Sequence, residues 1–228
     1  MILPLTSAAV GALGLAYYSP YASRLISVGA LRRRVTKGRM LILTYDDGPS
    51  NLVTPEIVDL LRRHNAKATF FMLGRSARQN ASIADLIVKE GHDVGCHTDQ
   101  HFNAWKVDPW TALTDINAGY ERLSSWVAPD GMYRPPFGKM TLPTQLAIRR
   151  RRAPIGWWTI DSGDTHSPLP DPKRVVDQLV REGGGVVLMH DLERTPERNS
   201  FVLDATARLL EAAERESLSV KRLSELQP

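Results

Sequence analysis

The chain has 228 residues, of which 43% are hydrophobic and 24% charged, so a disordered or fibrous protein is excluded. This length suits one domain or two small ones. Its single cysteine, Cys96, excludes an internal disulfide framework and any zinc module built on four Cys or on two Cys and two His.

The net charge of +4 comes from the N-terminus. Residues 1–45 contain six basic side chains and no acidic one, which leaves 23 basic and 25 acidic residues over 46–228. The remainder of the chain is therefore close to neutral. We expect no nucleic-acid partner, and the basic run Arg149–Arg152 is expected to be a solvated helix end.

Residues 1–38 form an apolar and basic segment that precedes a predicted catalytic domain, residues 39–228. Met1–Tyr18 is uncharged, and its 18 residues lie at the lower edge of the roughly 17–25 needed to cross a bilayer. Arg24 and Arg32–Arg34 follow, which predicts membrane contact through residues 1–34 with the catalytic domain on the cytoplasmic side. A secreted or periplasmic location, a cleaved leader, and a first helix packed on the domain remain alternatives.

From residue 39 onward, short apolar runs alternate with helical patterns. The predicted strands are Met40–Tyr45, Ala68–Leu73, His92–Thr98, Met132–Arg134, Ile155–Asp161, Val186–His190 and Leu218–Leu223. The predicted helices are Thr54–His64, Ser82–Glu90, Asp108–Trp126, Thr141–Arg152, Pro172–Glu182 and Phe201–Glu216. Strands without polar alternation are buried on both faces, which predicts an α/β fold with a parallel sheet, either open or closed into a barrel. Functional residues are then expected just after the strands.

Ionisable side chains follow five of these strands. They are Asp46 and Asp47, His97 and His101, Arg134, Asp161 and Asp164, and His190. Two adjacent carboxylates repel one another unless a cation or a shared proton relieves them. Imidazole and carboxylate are ligands for zinc and other transition metals. Asp47, His97 and His101 therefore predict a metal site that leaves coordination positions for water.

Residues at two further strand ends, Arg134 and His190, are candidates to orient a carboxylate and to donate a proton. Arg134 precedes two prolines, and an arginine on such a stiff backbone can clamp a carboxylate in one orientation. His190 ends a strand, where its pKa can be tuned through the neutral range for proton donation.

In this order, the residues resemble the five motifs of the NodB-like polysaccharide deacetylases, metal-dependent carbohydrate N- and O-deacetylases. The matching segments are Thr44-Tyr45-Asp46-Asp47-Gly48-Pro49, His97-Thr98-Asp99-Gln100-His101, Arg134-Pro135-Pro136-Phe137, Asp161-Ser162-Gly163-Asp164 and Leu188-Met189-His190. Thr165 stands where the family has a tryptophan that contributes apolar surface near the catalytic residues, so we expect an altered substrate fit. Trp157 and Trp158 are candidates to replace it.

The resemblance implies a distorted barrel of about seven parallel strands surrounded by helices. It also implies one divalent metal ion held by Asp47, His97 and His101. This ion is most often zinc in the family, with cobalt, nickel and manganese as alternatives.

The resemblance further assigns roles to the other residues. Asp46 is implied as the general base, oriented by Arg134. His190 is implied as the general acid, tuned by Asp164 in preference to Asp161. Leu188 and Pro136 are implied to line the substrate pocket, and a backbone N–H near Phe137 to hold the oxyanion.

We therefore predict a monomeric hydrolase that removes N-acetyl groups from an N-acetylated saccharide. An O-acetyl sugar esterase, a small-amide hydrolase and a catalytically silent carbohydrate-binding module are the alternatives. The sequence leaves open which glycan is the substrate and whether it is lipid-linked.

Overall fold

The structure is a computed structural model, and it describes residues 14–226. Its strands are β1 Met40–Asp46, β2 Thr69–Met72, β3 Asp93–Cys96, β4 Ile160–Asp161, β5 Gly185–His190 and β6 Ser219–Val220. Its helices are α1 Pro20–Lys37, α2 Val53–Arg63, α3 Gly74–Gln79, α4 Ala81–Lys89, α5 Pro109–Arg122, α6 Leu142–Arg151, α7 Lys173–Glu182 and α8 Pro196–Arg215. Short 3₁₀ turns lie at Pro136–Gly138 and Leu223–Leu226.

The strands form one parallel sheet in the order β3-β2-β1-β5-β4, and β6 pairs with the beginning of β1. This arrangement confirms the predicted parallel α/β fold. Beyond β3, single bridges join Cys96 to Tyr133 and Tyr133 to Ile155. One edge of the sheet ends at β4, residues 160–161, and the bridges beyond the other edge end at Ile155. The segment 155–161 therefore runs between the two edges of the sheet.

Five predicted strands are shorter in the structure. Ala68–Leu73, His92–Thr98 and Leu218–Leu223 are reduced to β2, β3 and β6. Met132–Arg134 is reduced to the bridge at Tyr133, because Pro135 and Pro136 supply no N–H groups for a continuing ladder. The prediction over Ile155–Asp161 is reduced to β4 and the bridge at Ile155. Helix α3 was not predicted, since its six residues include no large apolar side chain.

Strand β1 crosses the centre of the molecule, and residues 41–46 are all buried. Successive strand residues point to opposite faces. Leu41, Leu43 and Tyr45 join the core beneath the surrounding helices, while Ile42 packs in a second cluster with Phe71. Ile42, Thr44 and Asp46 are two residues apart along the strand, so their side chains lie on the same face. The carboxylate of Asp46 therefore points toward the same interior region as Ile42 and Thr44.

Helix α1 packs on the domain. Arg24 donates to the Gly138 carbonyl at 3.2 Å, and Arg32 donates to the Thr159 carbonyl at 2.9 Å and pairs with Glu182. The membrane prediction for Met1–Tyr18 falls mostly outside the described residues. Among residues 14–226, no helix is both long enough and apolar enough to cross a membrane.

Candidate active site

The carboxyl ends of β1, β3 and β5 bring the predicted site residues together. Asp46 and His190 are register partners on the neighbouring strands β1 and β5. His97 follows β3, and the bridge from Cys96 to Tyr133 places Arg134 beside it. Side chains distant in sequence therefore meet at one edge of a parallel sheet.

Asp47, His97 and His101 form a cluster whose ligand atoms lie within 4.8 Å of one another. Asp47 Oδ1 is 3.5 Å from His97 Nε2 and 3.3 Å from His101 Nε2. This oxygen is buried, and within residues 14–226 it has no hydrogen-bond partner. A buried carboxylate oxygen between two imidazoles is a costly arrangement unless a cation binds there. The cluster therefore fits one divalent metal ion.

The imidazole of His97 is oriented for metal binding. Its Nδ1 donates to the Arg134 carbonyl at 2.8 Å, which leaves the Nε2 lone pair facing Asp47. Such a second partner fixes the tautomer of a metal-binding histidine. Burial lowers the pKa of His97 to about 3 and also lowers the pKa of His101. Both rings are thus neutral near pH 7, as metal ligation requires.

A buried carboxylate on α5, Asp115, holds the loop between the two histidines. Asp115 Oδ1 accepts from the backbone N–H groups of Asp99 at 3.1 Å and Gln100 at 2.6 Å, and Oδ2 accepts from that of Phe102 at 3.1 Å. Gly119, one turn later, touches the same loop, because an added Cβ would lie 2.6 Å from the Thr98 carbonyl carbon. Helix α5 therefore sets the position of this loop.

Arg134 holds the second carboxylate, Asp46, in one orientation. The side chain of Arg134 is fully buried, and its Nη1 donates to Asp46 Oδ1 at 2.7 Å and to Thr44 Oγ1 at 2.8 Å. Its Nε donates to the Gly156 carbonyl at 2.9 Å, and its guanidinium lies 4.1 Å from the centre of the Phe71 ring. Asp46 Oδ2 is left facing the metal cluster, 3.7 Å from His97 Nε2.

Burial raises the pKa of Asp46, although the charges of Arg134 and His190 act in the opposite direction. A buried carboxylate with a raised pKa is a better proton acceptor than a solvated one.

His190 pairs with Asp164. Its Nδ1 lies 3.0 Å from Asp164 Oδ1, and its backbone N–H donates to Asp164 Oδ2 at 2.9 Å. Burial opposes the charge of the imidazole, but the pairing with Asp164 outweighs burial, and the pKa of His190 is raised to about 9. Asp161 is exposed and accepts from the Gly163 backbone N–H at 2.9 Å, a turn contact. Of the two candidate aspartates, the structure places Asp164 against His190.

The family profile of polysaccharide deacetylases matches residues 33–151. The chain belongs to the polysaccharide deacetylase family. It is 30% identical over 155 residues to a peptidoglycan-N-acetylglucosamine deacetylase of Bacillus cereus, covering 67% of this chain and 73% of that protein. It is 33% identical to the Listeria monocytogenes peptidoglycan-N-acetylglucosamine deacetylase PgdA, covering 81% of this chain but only 39% of the relative.

The fold is similar to a crystal structure of a peptidoglycan N-acetylglucosamine deacetylase in complex with 4-naphthalen-1-yl-N-oxidanyl-benzamide. The TM-score is 0.73 at 28% sequence identity, covering 82% of this chain and 87% of that one. Membership of the polysaccharide deacetylase family makes this site the expected place for a divalent metal ion.

The predicted substrate residues of this polysaccharide deacetylase differ in how exposed they are. Phe137 is 55% exposed, with φ at 57°, and its ring lies 4.6 Å from that of His101. Pro136 and Leu188 are buried. Thr165 is exposed in the loop that carries Asp164, so it does not supply the apolar wall that a tryptophan would.

Trp158 lies beside the clamp on Asp46. Its ring is 5.4 Å from the Arg134 guanidinium and 4.6 Å from that of Arg24. Trp158 therefore packs against the residue that orients Asp46.

Sequence reasoning missed three residues around the site. Asp115 had one signal, a carboxylate on the buried face of an amphipathic helix beside Ile116. Arg194 had none; its guanidinium lies 3.7 Å from Asp47 Oδ2 and compensates the charge of this carboxylate. Asp191 follows His190 directly and accepts from the Gly48 backbone N–H at 3.1 Å and the Thr54 hydroxyl at 2.6 Å, which fixes the turn after β1.

Proposed function

We propose that this chain is a metal-dependent hydrolase that removes N-acetyl groups from an N-acetylated glycan. The observation that carries this proposal is the position of Asp46. One of its oxygens is bound by Arg134, and the other faces the cluster of Asp47, His97 and His101. The relatives' named substrate, the N-acetylglucosamine of peptidoglycan, supports an acetamido sugar as the substrate class.

Two imidazole nitrogens and one carboxylate are a donor set that zinc accepts, with positions left open for water and substrate. We therefore propose zinc as the metal, held by Asp47, His97 and His101. A divalent ion at this cluster supplies Lewis-acid polarisation of the amide carbonyl and a bound water of lowered pKa.

The protein's own groups divide the proton transfers between them. Asp46 Oδ2 is the oxygen that accepts the proton of the attacking water, because Oδ1 is held by Arg134. His190 is charged near pH 7, with Nδ1–H directed to Asp164, so its Nε2–H is the proton available to the departing nitrogen. The backbone N–H near Phe137 remains the predicted donor to the oxyanion.

Acetate release from purified full-length chain tests this function. We expect release from N-acetylglucosamine oligomers and from muropeptides, loss of release with a chelator, and recovery with zinc. Asp46→Asn should lower the rate at least about 100-fold, as loss of a general base does, while the metal content stays unchanged. Asp177→Asn, an exposed carboxylate on α7 paired with Lys173, is the matched control. Turnover that survives in Asp46→Asn would remove Asp46 as the base.

We also propose that residues 1–34 attach the chain to a membrane, with the catalytic domain on the cytoplasmic side. The uncharged run Met1–Tyr18 followed by Arg24 and Arg32–Arg34 supports this location and orientation. A reporter that is active only in the periplasm, fused to the C-terminus, should stay silent. An active reporter would reverse the orientation and favour a glycan outside the cytoplasm.

A further inference from the structure

Helix α1 exposes apolar side chains on the face turned away from the domain. Leu25 is 59% exposed and Ile26 75%. The inward face is already occupied, since Val28 and Val35 pack against the core. A helix that is apolar on both faces has a second apolar partner to bury. Within residues 14–226, the domain covers one face of α1 and leaves Leu25 and Ile26 exposed.

Leu15, in the helical residues that precede α1, is 79% exposed. By contrast, Val88, Leu146 and Val180 are exposed singly on three different helices. Single exposed apolar residues are ordinary, whereas a group of them marks an interaction surface. We refer to Leu15, Leu25 and Ile26 as the outer face.

The charge around the outer face indicates its partner. Further along the same helix, Arg33, Arg34 and Lys37 are exposed, and residues 1–45 contain no acidic residue. A second copy of this helix would bring like charges together. An anionic lipid surface offers both an apolar layer for Leu25 and Ile26 and negative charge for the basic residues.

We propose that the outer face, together with Arg33, Arg34 and Lys37, binds the surface of an anionic membrane. This inference deepens the membrane attachment proposed for residues 1–34, because it predicts that the folded domain itself lies against the lipid. The neighbouring uncharged sequence, which runs from Met1 to Ser23, brings the outer face to the same surface.

Membrane binding at α1 brings the side of the domain that carries the Pro136–Gly138 turn toward the lipid. Arg24 of α1 contacts the Pro136–Gly138 turn through the Gly138 carbonyl. Tyr18 and Tyr21 contact Trp105 edge to face, at ring distances of 5.2 Å and 5.7 Å. This proximity suits a lipid-linked N-acetylated glycan, an extension that rests on the proposed hydrolase function.

A fluorescent label on the outer face tests the proposal directly. Cys96 is buried, so an environment-sensitive thiol dye can be attached selectively to Ile26→Cys in the full-length chain. With vesicles of phosphatidylcholine and phosphatidylglycerol, we expect a blue shift and increased emission. The same dye on Trp110→Cys, a position 78% exposed on α5, should show no shift. An unchanged spectrum at residue 26 in the presence of bound vesicles would overturn the proposal.

Vesicle co-sedimentation of charge variants provides the second measurement. Leu25→Glu with Ile26→Glu should lower partitioning about tenfold or more, because two apolar side chains lose their lipid contact. Arg33→Gln should lower it about fivefold on anionic vesicles and leave it unchanged on phosphatidylcholine. Trp110→Glu is the matched control, with wild-type partitioning expected. Thermal unfolding of each variant confirms that these exposed substitutions leave the domain folded.

The outcomes distinguish failure of the membrane-binding proposal from failure of the proposed hydrolase function. Acetate release from a soluble oligomer should be the same in wild type and in the Leu25→Glu, Ile26→Glu variant. If this variant partitions like wild type, attachment does not use the outer face and the proposal is wrong. If the variant instead abolishes a dimer in gel filtration without altering vesicle binding, the outer face is an interface between copies, which also overturns it.

Discussion

Asp115→Asn should weaken metal binding although Asp115 is not a candidate metal ligand. Asp115 accepts three backbone N–H groups from residues 99–102, the segment that carries His101, at 2.6–3.1 Å. An asparagine of the same shape can offer its carbonyl oxygen to Asp99 and Gln100, but its amide then faces the Phe102 N–H. One charge-assisted hydrogen bond is lost, at about 2 kcal/mol.

If the loop must be ordered before both imidazoles can bind one ion, this loss of free energy lowers the affinity of the chain for the metal. A loss of about 2 kcal/mol corresponds to a roughly 30-fold higher Kd, within the range for partners of metal ligands. The assay is competition for zinc between the purified chain and a chromophoric chelator at pH 7. Denaturant unfolding of the metal-free protein measures the loss of global stability in parallel.

Asp108→Asn is the matched control because Asp108 has the same chemistry on the same helix. It accepts from the backbone N–H groups of Trp110 at 2.9 Å and Thr111 at 3.0 Å, but these groups belong to α5 itself. We expect nearly unchanged stability, because asparagine caps a helix about as well as aspartate does, and an unchanged zinc Kd. If Asp115→Asn binds zinc with a wild-type Kd, the loop does not depend on Asp115 and the reasoning is refuted.

Two further predictions concern the groups that transfer protons. Arg134→Lys should lower kcat/KM about 100-fold or more with little change in metal content, because one ammonium cannot replace the guanidinium contacts to Asp46 and the backbone. Steady-state kinetics and metal analysis check this prediction. Unchanged kinetics would contradict it. In chelator-treated protein, the His190–Asp164 pair should contribute up to about 3 kcal/mol, since the pKa of His190 is raised to about 9. This contribution is complete below pH about 6.5 and is lost as the pH rises through about 9. The stability difference between wild type and Asp164→Asn should therefore narrow from pH 6 to pH 10, whereas Asp161→Asn should show no such change.

The sequence predicted the fold and the site best where ionisable residues directly follow an unbroken apolar run. Apolar runs without alternation predicted a parallel sheet, and β1 and β5 match their predictions within one residue. The structure brings Asp46, Asp47, His97, His101 and His190 to one edge of this sheet, where residues after parallel strands must meet. These predictions depended on local pattern and on a general property of parallel sheets.

Contacts that depend on tertiary packing could not be predicted in this way. The pairing of His190 with Asp164, not with Asp161, is decided by the direction of the chain after β4, where Gly163 adopts φ of 79°. Nothing in the sequence near Arg194 indicates its approach to Asp47. A first helix packed on the domain was one alternative for the N-terminal segment, and only the packing shows which side chains of Pro20–Lys37 stay exposed.

The two adjacent carboxylates can serve different roles because the backbone turns sharply between them. Asp46 is the last residue of an extended strand and directs its side chain to Arg134. Asp47 adopts φ of 75°, a left-handed conformation that is uncommon outside glycine, and this turn carries its carboxylate to the two histidines. The next residue must be glycine, because a Cβ on Gly48 would lie 2.1 Å from Asp191 Oδ2. Asp191 in turn accepts the Gly48 N–H, so a third carboxylate stabilises the turn that separates the candidate base from the candidate metal ligand.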